Sequence, residues 1–405
     1  MGVDHAMTID SEEFLNHKGA AINYSSLKIK EEEIRIESNG LLFETFVKER
    51  PVECFTCNGS TAFFKTTQSD YPFDILSAVF YLISRYEEYL PHKKDAYGRY
   101  AHENSIAFKA DFLHLPLINI WIKDFALHLK NKFTGLSFQL PTFNFLPTYD
   151  IDIAFSYKHK GFIRNLGGFL RAPSVERIMV LLGLQKDPFD CYRWLEELRN
   201  ENNLHPVCFF LMAEKNGRYD KNILPHKNTI WALVKKLADN NSIGIHPSWQ
   251  SGDKPLLLKK EKEYLEAVCE SKIVLSRQHY IRFNLPEGYQ QLIKAGISDD
   301  YSMGYGSING FRASVASSFF WYDLQKEEQT SLRIHPFCFM DANAYYEQKQ
   351  TPAQTAVELV HYLTICREVN GTLITIWHNN FLGTAKEFAG WREIYQSFIL
   401  SVRSS

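Results

Sequence analysis

The sequence lacks the features that would place it in several large functional classes. Its formal net charge is -2, so no excess of positive charge indicates a nucleic acid as partner. The longest strongly apolar stretch, around Ile75 to Ser84, is too short to cross a bilayer. We therefore expect no nucleic-acid partner and no membrane-spanning segment.

Cysteine usage argues against a disulfide framework and against a zinc ribbon. The seven cysteines are odd in number and scattered, and the one Cys-x-x-Cys pair, Cys54 with Cys57, has no second pair. The start of the chain, Met1 to Glu13, has acidic residues where a secretory signal has basic and then apolar ones. Both observations favour a cytoplasmic location.

Two common catalytic loops are also missing. The glycines form no Gly-x-Gly-x-x-Gly sequence and precede no Lys-Ser or Lys-Thr pair. Ser307 lacks the flanking glycines of a hydrolase nucleophile elbow, because Tyr305 and Asn309 stand in their places. Nucleotide-dependent and serine-hydrolase chemistry are therefore disfavoured.

The length of the chain and a change in its pattern of apolar residues indicate two domains. A chain of 405 residues is too long for one average domain. Residues 1–142 carry apolar helical patterns at Asp74 to Leu90 and at Leu113 to Phe133. We predict an accessory α/β domain of unknown role there. In residues 143–405, short apolar strands alternate with helices, which is typical of parallel βα units.

The second domain is predicted to be a barrel of seven βα units. Its predicted strands are 145–152, 207–212, 243–246, 279–283, a short piece near Asp300, 332–339 and 373–378. The connection after the first strand, from Ser156 to about Phe189, is unusually long, and such loops usually carry function or specificity.

Polar residues of catalytic type recur where these predicted strands end. They are Asp150 and Asp152 on the first strand, His246 on the third, Arg277, His279 and Arg282 around the fourth, His335 and then Asp341 on the sixth, and His378 on the last. Each alone has a structural alternative. Because the C-terminal ends of barrel strands share one face, we expect them to meet in one site.

Carboxylates with imidazoles suit a divalent metal ion, zinc above all. Such an ion lowers the pKa of a bound water and polarises a carbonyl. A second carboxylate can then accept the proton of the water, and a histidine can protonate a leaving amine. This division of roles favours amide hydrolysis.

The same segments resemble the motifs of the polysaccharide deacetylases, a carbohydrate esterase family with a distorted (β/α)7 barrel. Thr148 to Asp152 resembles the first motif, Gly244 to Ser248 the second, and Leu373 to His378 the last. Arg277 to Arg282 stands where the arginine-bearing motif would be. The resemblance implies a divergent member with an additional N-terminal domain.

The resemblance also implies roles. Asp150 would be the general base, oriented by Arg277 or Arg282, and His378 the general acid. Asp152 and His246 would hold the metal ion. The implied enzyme is a zinc-type hydrolase of carbohydrate metabolism that removes acetyl from an N-acetylated sugar or glycan.

The second motif departs from the family pattern. The family usually has two histidines four residues apart, and Gln250 stands in the second place. His279 is the predicted substitute ligand, and Gln250, Ser248 or a water molecule are the alternatives. The alternative hypothesis is a non-catalytic glycan-binding or scaffolding relative with a degenerate metal site. A glycosidase role for Asp150 and Asp152 ranks last, because alternate residues of a strand point the same way and do not flank a scissile bond.

Overall fold

The computed structural model describes residues 4–139 and 141–403. The chain is a mixed α/β structure with a nine-stranded sheet and two small two-stranded sheets. The strands are β1 (Ile22–Asn23), β2 (Ile34–Arg35), β3 (Phe55–Cys57), β4 (Ser60–Ala62), β5 (Asn144–Ile151), β6 (Val207–Leu211), β7 (Ser242–His246), β8 (Leu275–Ser276), β9 (Asp299–Asp300), β10 (Phe319–Asp323), β11 (Glu328–Ile334), β12 (Phe339–Met340) and β13 (Thr372–His378).

Helices connect most of the parallel strands. They are α1 (Ser11–Asn16), α2 (Ile75–Ile83), α3 (Ile106–Lys109), α4 (Leu117–Lys132), α5 (Phe162–Arg171), α6 (Val175–Leu181), α7 (Tyr192–Asn202), α8 (Asn228–Ala238), α9 (Pro255–Cys269), α10 (Glu287–Lys294), α11 (Pro352–Glu368) and α12 (Trp391–Arg403). Within the described ranges, none of them is both long and apolar enough to cross a membrane.

The large sheet has the order β10-β11-β9-β8-β7-β6-β5-β13-β12, and every neighbouring pair is parallel except β10 with β11. From β5 to β9 each strand pairs with the next one along the chain, as expected for helix-connected parallel strands. In the part of the chain that the structure describes, β11 and β12 do not pair, so the sheet is an open row.

The sheet curls around the face that carries Asp150. On a flat sheet, β5 and β8 would lie roughly 14 Å apart, because neighbouring strands are about 4.8 Å apart. Nevertheless Arg277, just after β8, donates through Nη1 to Thr148 Oγ1 at 2.7 Å and to Asp150 Oδ1 at 2.8 Å, both on β5. The carboxyl ends of these strands are therefore brought towards one another.

Alternation along β5 separates its two faces. Thr148 and Asp150 are buried on the enclosed side, where they bind Arg277. Tyr149 points the other way, and its hydroxyl bonds that of Tyr395 on α12 at 2.7 Å. Because side chains alternate along a strand, Asp152 continues the side of Asp150.

The strand predicted at 279–283 is wrong. His279–Ile281 forms a 3-10 turn in which Tyr280 and Ile281 have φ values of 59° and 53°. A strand needs negative φ, and a β-branched residue at positive φ is strained. The strand at this place is β8, which ends three residues earlier, at Ser276. The predicted strand 332–339 also differs, because it divides into β11 and β12.

The residues before 143 pack directly against those after it. Glu88, which follows α2, accepts hydrogen bonds at 2.8 Å from Nε of Arg85 and from Nε of Arg312, and all three side chains are buried. One hydrophobic core runs from Ile34 to Ile399 through both regions. The boundary at residues 142 and 143 and a separate N-terminal α/β fold stay predictions.

Candidate metal centre

Acids and imidazoles meet at the carboxyl edge of the sheet. His378 lies opposite Asp150 in the ladder between β13 and β5, and His246 is the last residue of β7. Asp152 follows the last residue of β5, and His279 lies in the turn after β8. Parallel register therefore brings side chains from four separate segments to one place.

Asp152 lies between two imidazoles. Its Oδ1 is 3.1 Å from His246 Nε2, and its Oδ2 is 3.2 Å from His279 Nε2. One donor atom from each residue lies within 4.8 Å of the other two. Asp152 Oδ1 is buried and, among the described residues, accepts no hydrogen bond, which is costly unless a cation satisfies it. One carboxylate and two imidazoles therefore fit a divalent ion.

Hydrogen bonds at Nδ1 orient both imidazoles so that Nε2 is directed at Asp152. His246 Nδ1 lies 2.5 Å from the carbonyl oxygen of Arg277, and His279 Nδ1 lies 3.0 Å from Asp220 Oδ1. Each acceptor favours a proton on Nδ1, because an oxygen cannot donate in return. The Nε2 lone pairs are then free to face Asp152, and partners of this kind typically orient metal-binding histidines.

Burial and charge compete in this cluster. Burial raises the pKa of Asp152, but the charges of His279 and His246 outweigh it and hold that pKa well below its usual range. Burial lowers the pKa of His279, yet Asp152 and Asp220 raise it to about 9. The anionic carboxylates therefore attract positive charge to this point. A divalent ion would compete with the proton for His279, and its binding would release that proton.

Asp150 is held by a fixed cation. Arg277 is fully buried and donates through Nη1 to Asp150 Oδ1, while its Nε donates to the carbonyl of Tyr301 at 3.0 Å. The other carboxylate oxygen, Oδ2, lies 3.7 Å from His246 Nε2. A charge-assisted bond fixes one oxygen and leaves the other directed at the metal cluster.

His378 reaches the cluster from β13, the strand next to β5. Its Nδ1 lies 2.6 Å from Asp341 Oδ1, its backbone N–H donates to Asp341 Oδ2 at 2.7 Å, and its Nε2 lies 3.4 Å from Asp152 Oδ2. Burial lowers the pKa of His378, but the Asp341 carboxylate raises it well above its usual value. The Asp341 carboxylate therefore favours the protonated imidazole, whose Nε2 is directed at the cluster.

Three other residues singled out by the sequence lie elsewhere. Arg282 donates to the carbonyl of Trp249 at 3.0 Å and to Asp253 Oδ2 at 2.6 Å. The distances thus leave Arg277 as the arginine beside Asp150. His335 pairs with Asp299 Oδ1 at 2.8 Å. Gln250 reaches Asp220 Oδ2 at 3.4 Å, so it borders the outer partner of His279.

A segment before residue 143 supports the turn that carries His279. Arg99 is buried, and its Nη1 donates to the carbonyl of Tyr280 at 2.7 Å. The Tyr97 ring lies 5.5 Å from that of Tyr280 and 6.0 Å from that of Trp249. Tyr219 stacks on Trp249 at 3.9 Å. These half-exposed rings form an aromatic rim beside the metal cluster.

The sequence did not reveal Asp220 as a site residue. Asp220 lies in the loop between β6 and α8, away from any strand end, so the pattern of strand-end acids misses it. The sequence pattern includes Asp341 as a polar residue after the sixth strand, but spacing alone does not predict its hydrogen bond with His378. The nearest sequence signal for Asp220 is an acid in a long loop of a predicted barrel, which is weak.

Asp220→Asn is expected to weaken zinc binding by about 10 to 100-fold, the usual effect of removing an outer carboxylate from a metal-binding histidine. The amide keeps the shape but loses the charge that raises the pKa of His279 and fixes its Nδ1 proton. Competition titration against a chelator measures the change. Gln250→Ala, which touches the other oxygen of Asp220, is the matched control and should change affinity little.

One protein family matches the N-terminal part of the chain. Residues 1–134 match a family of unknown function (DUF7033). No curated protein matches the chain.

Similar solved structures cover about two thirds of the chain. A protein from Mycobacterium smegmatis described as a polysaccharide deacetylase is 14% identical, with 66% of this chain and 87% of that chain covered and a TM-score of 0.44. A polysaccharide deacetylase from Bacillus cereus is 10% identical, with 64% and 88% covered and a TM-score of 0.33. A CE4 family pseudoenzyme from Bacillus anthracis is 9% identical, with 65% and 61% covered and a TM-score of 0.34.

Proposed function

We propose that this chain is a metal-dependent hydrolase that removes acetyl from an N-acetylated sugar or glycan. The observation that carries the proposal is the convergence of Asp152, His246 and His279 within 4.8 Å, with both imidazoles presenting Nε2. On this proposal the curled sheet corresponds to the distorted barrel of the polysaccharide deacetylases, and zinc is the metal to which the donor set is best suited.

Asp150 is proposed as the general base. The bound ion would polarise the acetyl carbonyl and acidify a water, which is the chemistry that such a metal supplies. Asp150 Oδ2 accepts the proton of the attacking water, while Arg277 holds Oδ1 at 2.8 Å. Because Arg277 is itself fixed to the Tyr301 carbonyl, the base does not have to be oriented during the reaction.

His378 is proposed as the general acid. As water oxygen bonds to the acetyl carbon and the C–N bond breaks, the sugar nitrogen needs a proton to leave as an amine. Asp341 favours the protonated form of His378, because its carboxylate raises the pKa of that imidazole. The products are acetate and a free amino sugar. The rim of Tyr97, Tyr219, Trp249 and Tyr280 supports a sugar substrate, since aromatic faces stack on sugar rings.

The alternative, a glycan-binding relative with a degenerate site, depends on the missing second histidine of the motif. His279 brings an imidazole to Asp152 from the neighbouring turn, and Asp220 orients it. This replacement favours the metalloenzyme over the alternative. The arrangement also explains why Gln250 can occupy its position without removing the third donor.

Elemental analysis with an acetate-release assay tests the proposal. We expect about one divalent ion per chain and release of acetate from N-acetylated oligosaccharides, which a chelator abolishes and added zinc restores. Metal-free protein that binds sugar equally well with and without chelator would support the alternative instead. Reducing sugar released without acetate would revive the glycosidase hypothesis.

Asp341→Asn is expected to move the alkaline limb of the kcat/KM pH profile to lower pH. The Asp341 carboxylate raises the pKa of His378, and the general acid works only below that pKa. Without this charge the pKa falls, so activity is lost at lower pH as pH rises. A proportional loss at every pH would instead indicate a purely structural role. Asp299→Asn, at the His335 pair, is the control and should leave the profile unchanged.

A further inference from the structure

The long connection after β5 forms two helices with an exposed apolar surface. On α5, Phe162, Leu166 and Leu170 are spaced four residues apart and therefore share one face. Their exposed fractions are 80%, 45% and 75%. Arg164 and Arg171 lie on the opposite side of the same helix by their spacing. The helix is thus amphipathic, but its apolar face is turned to the exterior.

The second helix and the turn after it extend this surface. Apolar side chains that are at least one-third exposed there are Val175, Ile178, Met179, Leu181, Leu182 and Leu184. Arg177 connects the two helices, because its Nη1 donates to the carbonyl of Asn165 at 3.2 Å. An exposed apolar surface with so many large side chains usually marks an interaction site.

Positive charge accompanies the apolar side chains. Residues 156–186 contain six basic residues (Lys158, Lys160, Arg164, Arg171, Arg177 and Lys186) and one acidic residue, Glu176, although the whole chain has a net charge of -2. Positive charge is therefore concentrated in this segment, which we call the basic amphipathic insert (residues 156–186).

Most of these charges lack an acidic partner. Among the described residues, no carboxylate lies within 4.0 Å of the charged nitrogens of Lys160, Arg164, Arg171 or Arg177, whereas Lys186 lies 3.8 Å from Asp190. Burial, and then the charge of Arg164, lower the pKa of Lys160 to about 8. Crowded cations with no carboxylate in direct contact favour an anionic partner.

The insert is attached beside the metal cluster. The backbone N–H groups of Ser156 and Tyr157 donate to Asp187 at 2.8 Å, which closes the base of the insert. Arg164 donates to the carbonyl of Lys221 at 3.1 Å. The neighbouring Asn222 donates to the carbonyl of Ile151, at the carboxyl end of β5. The insert therefore leaves the sheet at the same edge as the candidate site.

We propose that the basic amphipathic insert docks the chain onto an anionic lipid bilayer surface. Its apolar side chains would enter the boundary between headgroups and acyl chains, and its exposed basic side chains, such as that of Arg171, would contact lipid phosphates. A second copy fits less well, because a symmetric contact of two inserts would bring like charges together. The proposal does not depend on the proposed deacetylase activity, since it requires neither the metal ion nor catalysis.

Vesicle flotation of the full chain tests the proposal. We expect the protein to float with vesicles of phosphatidylcholine and phosphatidylglycerol, less with phosphatidylcholine alone, and less at high salt. The variant Phe162→Ser, Leu166→Ser, Leu170→Ser should partition at least on the order of a hundredfold less. The control replaces Leu27, Leu256 and Val357, which are all at least 72% exposed, by serine and should bind like the wild type.

Three results would overturn the proposal. The first is an absence of flotation with phosphatidylglycerol vesicles, and the second is equal flotation of the wild type and the serine variant of Phe162, Leu166 and Leu170. The third is sedimentation, without vesicles, of the wild type as a dimer and of that variant as a monomer. The last result would identify a second copy as the occupant. Metal content, measured in the same samples, reports on the proposed function separately, so either can fail alone. Equal thermal melting of wild type and variants shows that the folds are comparable.

Discussion

Asp150→Asn is expected to lower the turnover of an N-acetylated sugar by about 10² to 10⁴-fold, the usual contribution of a general base, while the metal ion stays bound. Asparagine keeps the shape of the side chain and can accept the hydrogen bond from Arg277 through its amide oxygen. It cannot take a proton from water at neutral pH. Acetate release gives the turnover, and elemental analysis of the same sample gives the metal content.

The comparison with Asp299→Asn makes this prediction specific. Asp299 is also an acid at a strand end, and it also pairs with an imidazole, that of His335 at 2.8 Å. It lies outside the cluster of Asp152, so its loss should leave turnover near that of the wild type. If Asp150→Asn kept full turnover, Asp150 would not be the base. If it lost the metal in proportion to activity, Asp150 would be a ligand instead.

Most of the parallel sheet could be predicted because its strands are apolar and are bounded by helices. β5, β6, β7 and β13 lie within two residues of their predicted limits. β5, β6 and β7 lie side by side in chain order, as consecutive parallel strands usually do. The turn at Tyr280 could not be predicted in this way, since its positive φ is supported by Arg99, a residue far away in sequence.

The candidate site was predictable where it depends on strand ends and unpredictable where it depends on loops. Asp150, Asp152, His246 and His378 are placed by alternation and register, which the sequence pattern contains. The outer partner Asp220 approaches His279 from a loop whose path depends on tertiary packing. The choice between Arg277 and Arg282 also depended on geometry, because both follow β8 closely and only Arg277 is directed at β5.

His279→Ala is expected to lower zinc affinity by more than the roughly 10 to 100-fold that loss of an outer partner costs, because it removes a donor atom itself. Asp152 and His246 alone would leave the ion two protein ligands, fewer than the three of typical catalytic zinc sites. Acetate release should fall with metal occupancy and recover only partly at high zinc. Competition titration gives the affinity, and occupancy is measured at each zinc concentration.

The position of Gln250 supplies the decisive comparison. It occupies the place of the second histidine in the family motif, yet in this chain it contacts Asp220. Gln250→Ala should therefore keep most of the affinity, whereas Gln250→His, combined with His279→Ala, would restore it only if the motif position still reaches the ion. Equal affinity in His279→Ala and the wild type would show that this imidazole is no ligand. Because alanine removes the hydrogen bond between His279 Nδ1 and Asp220, His279→Gln with an unchanged melting temperature separates lost coordination from lost folding.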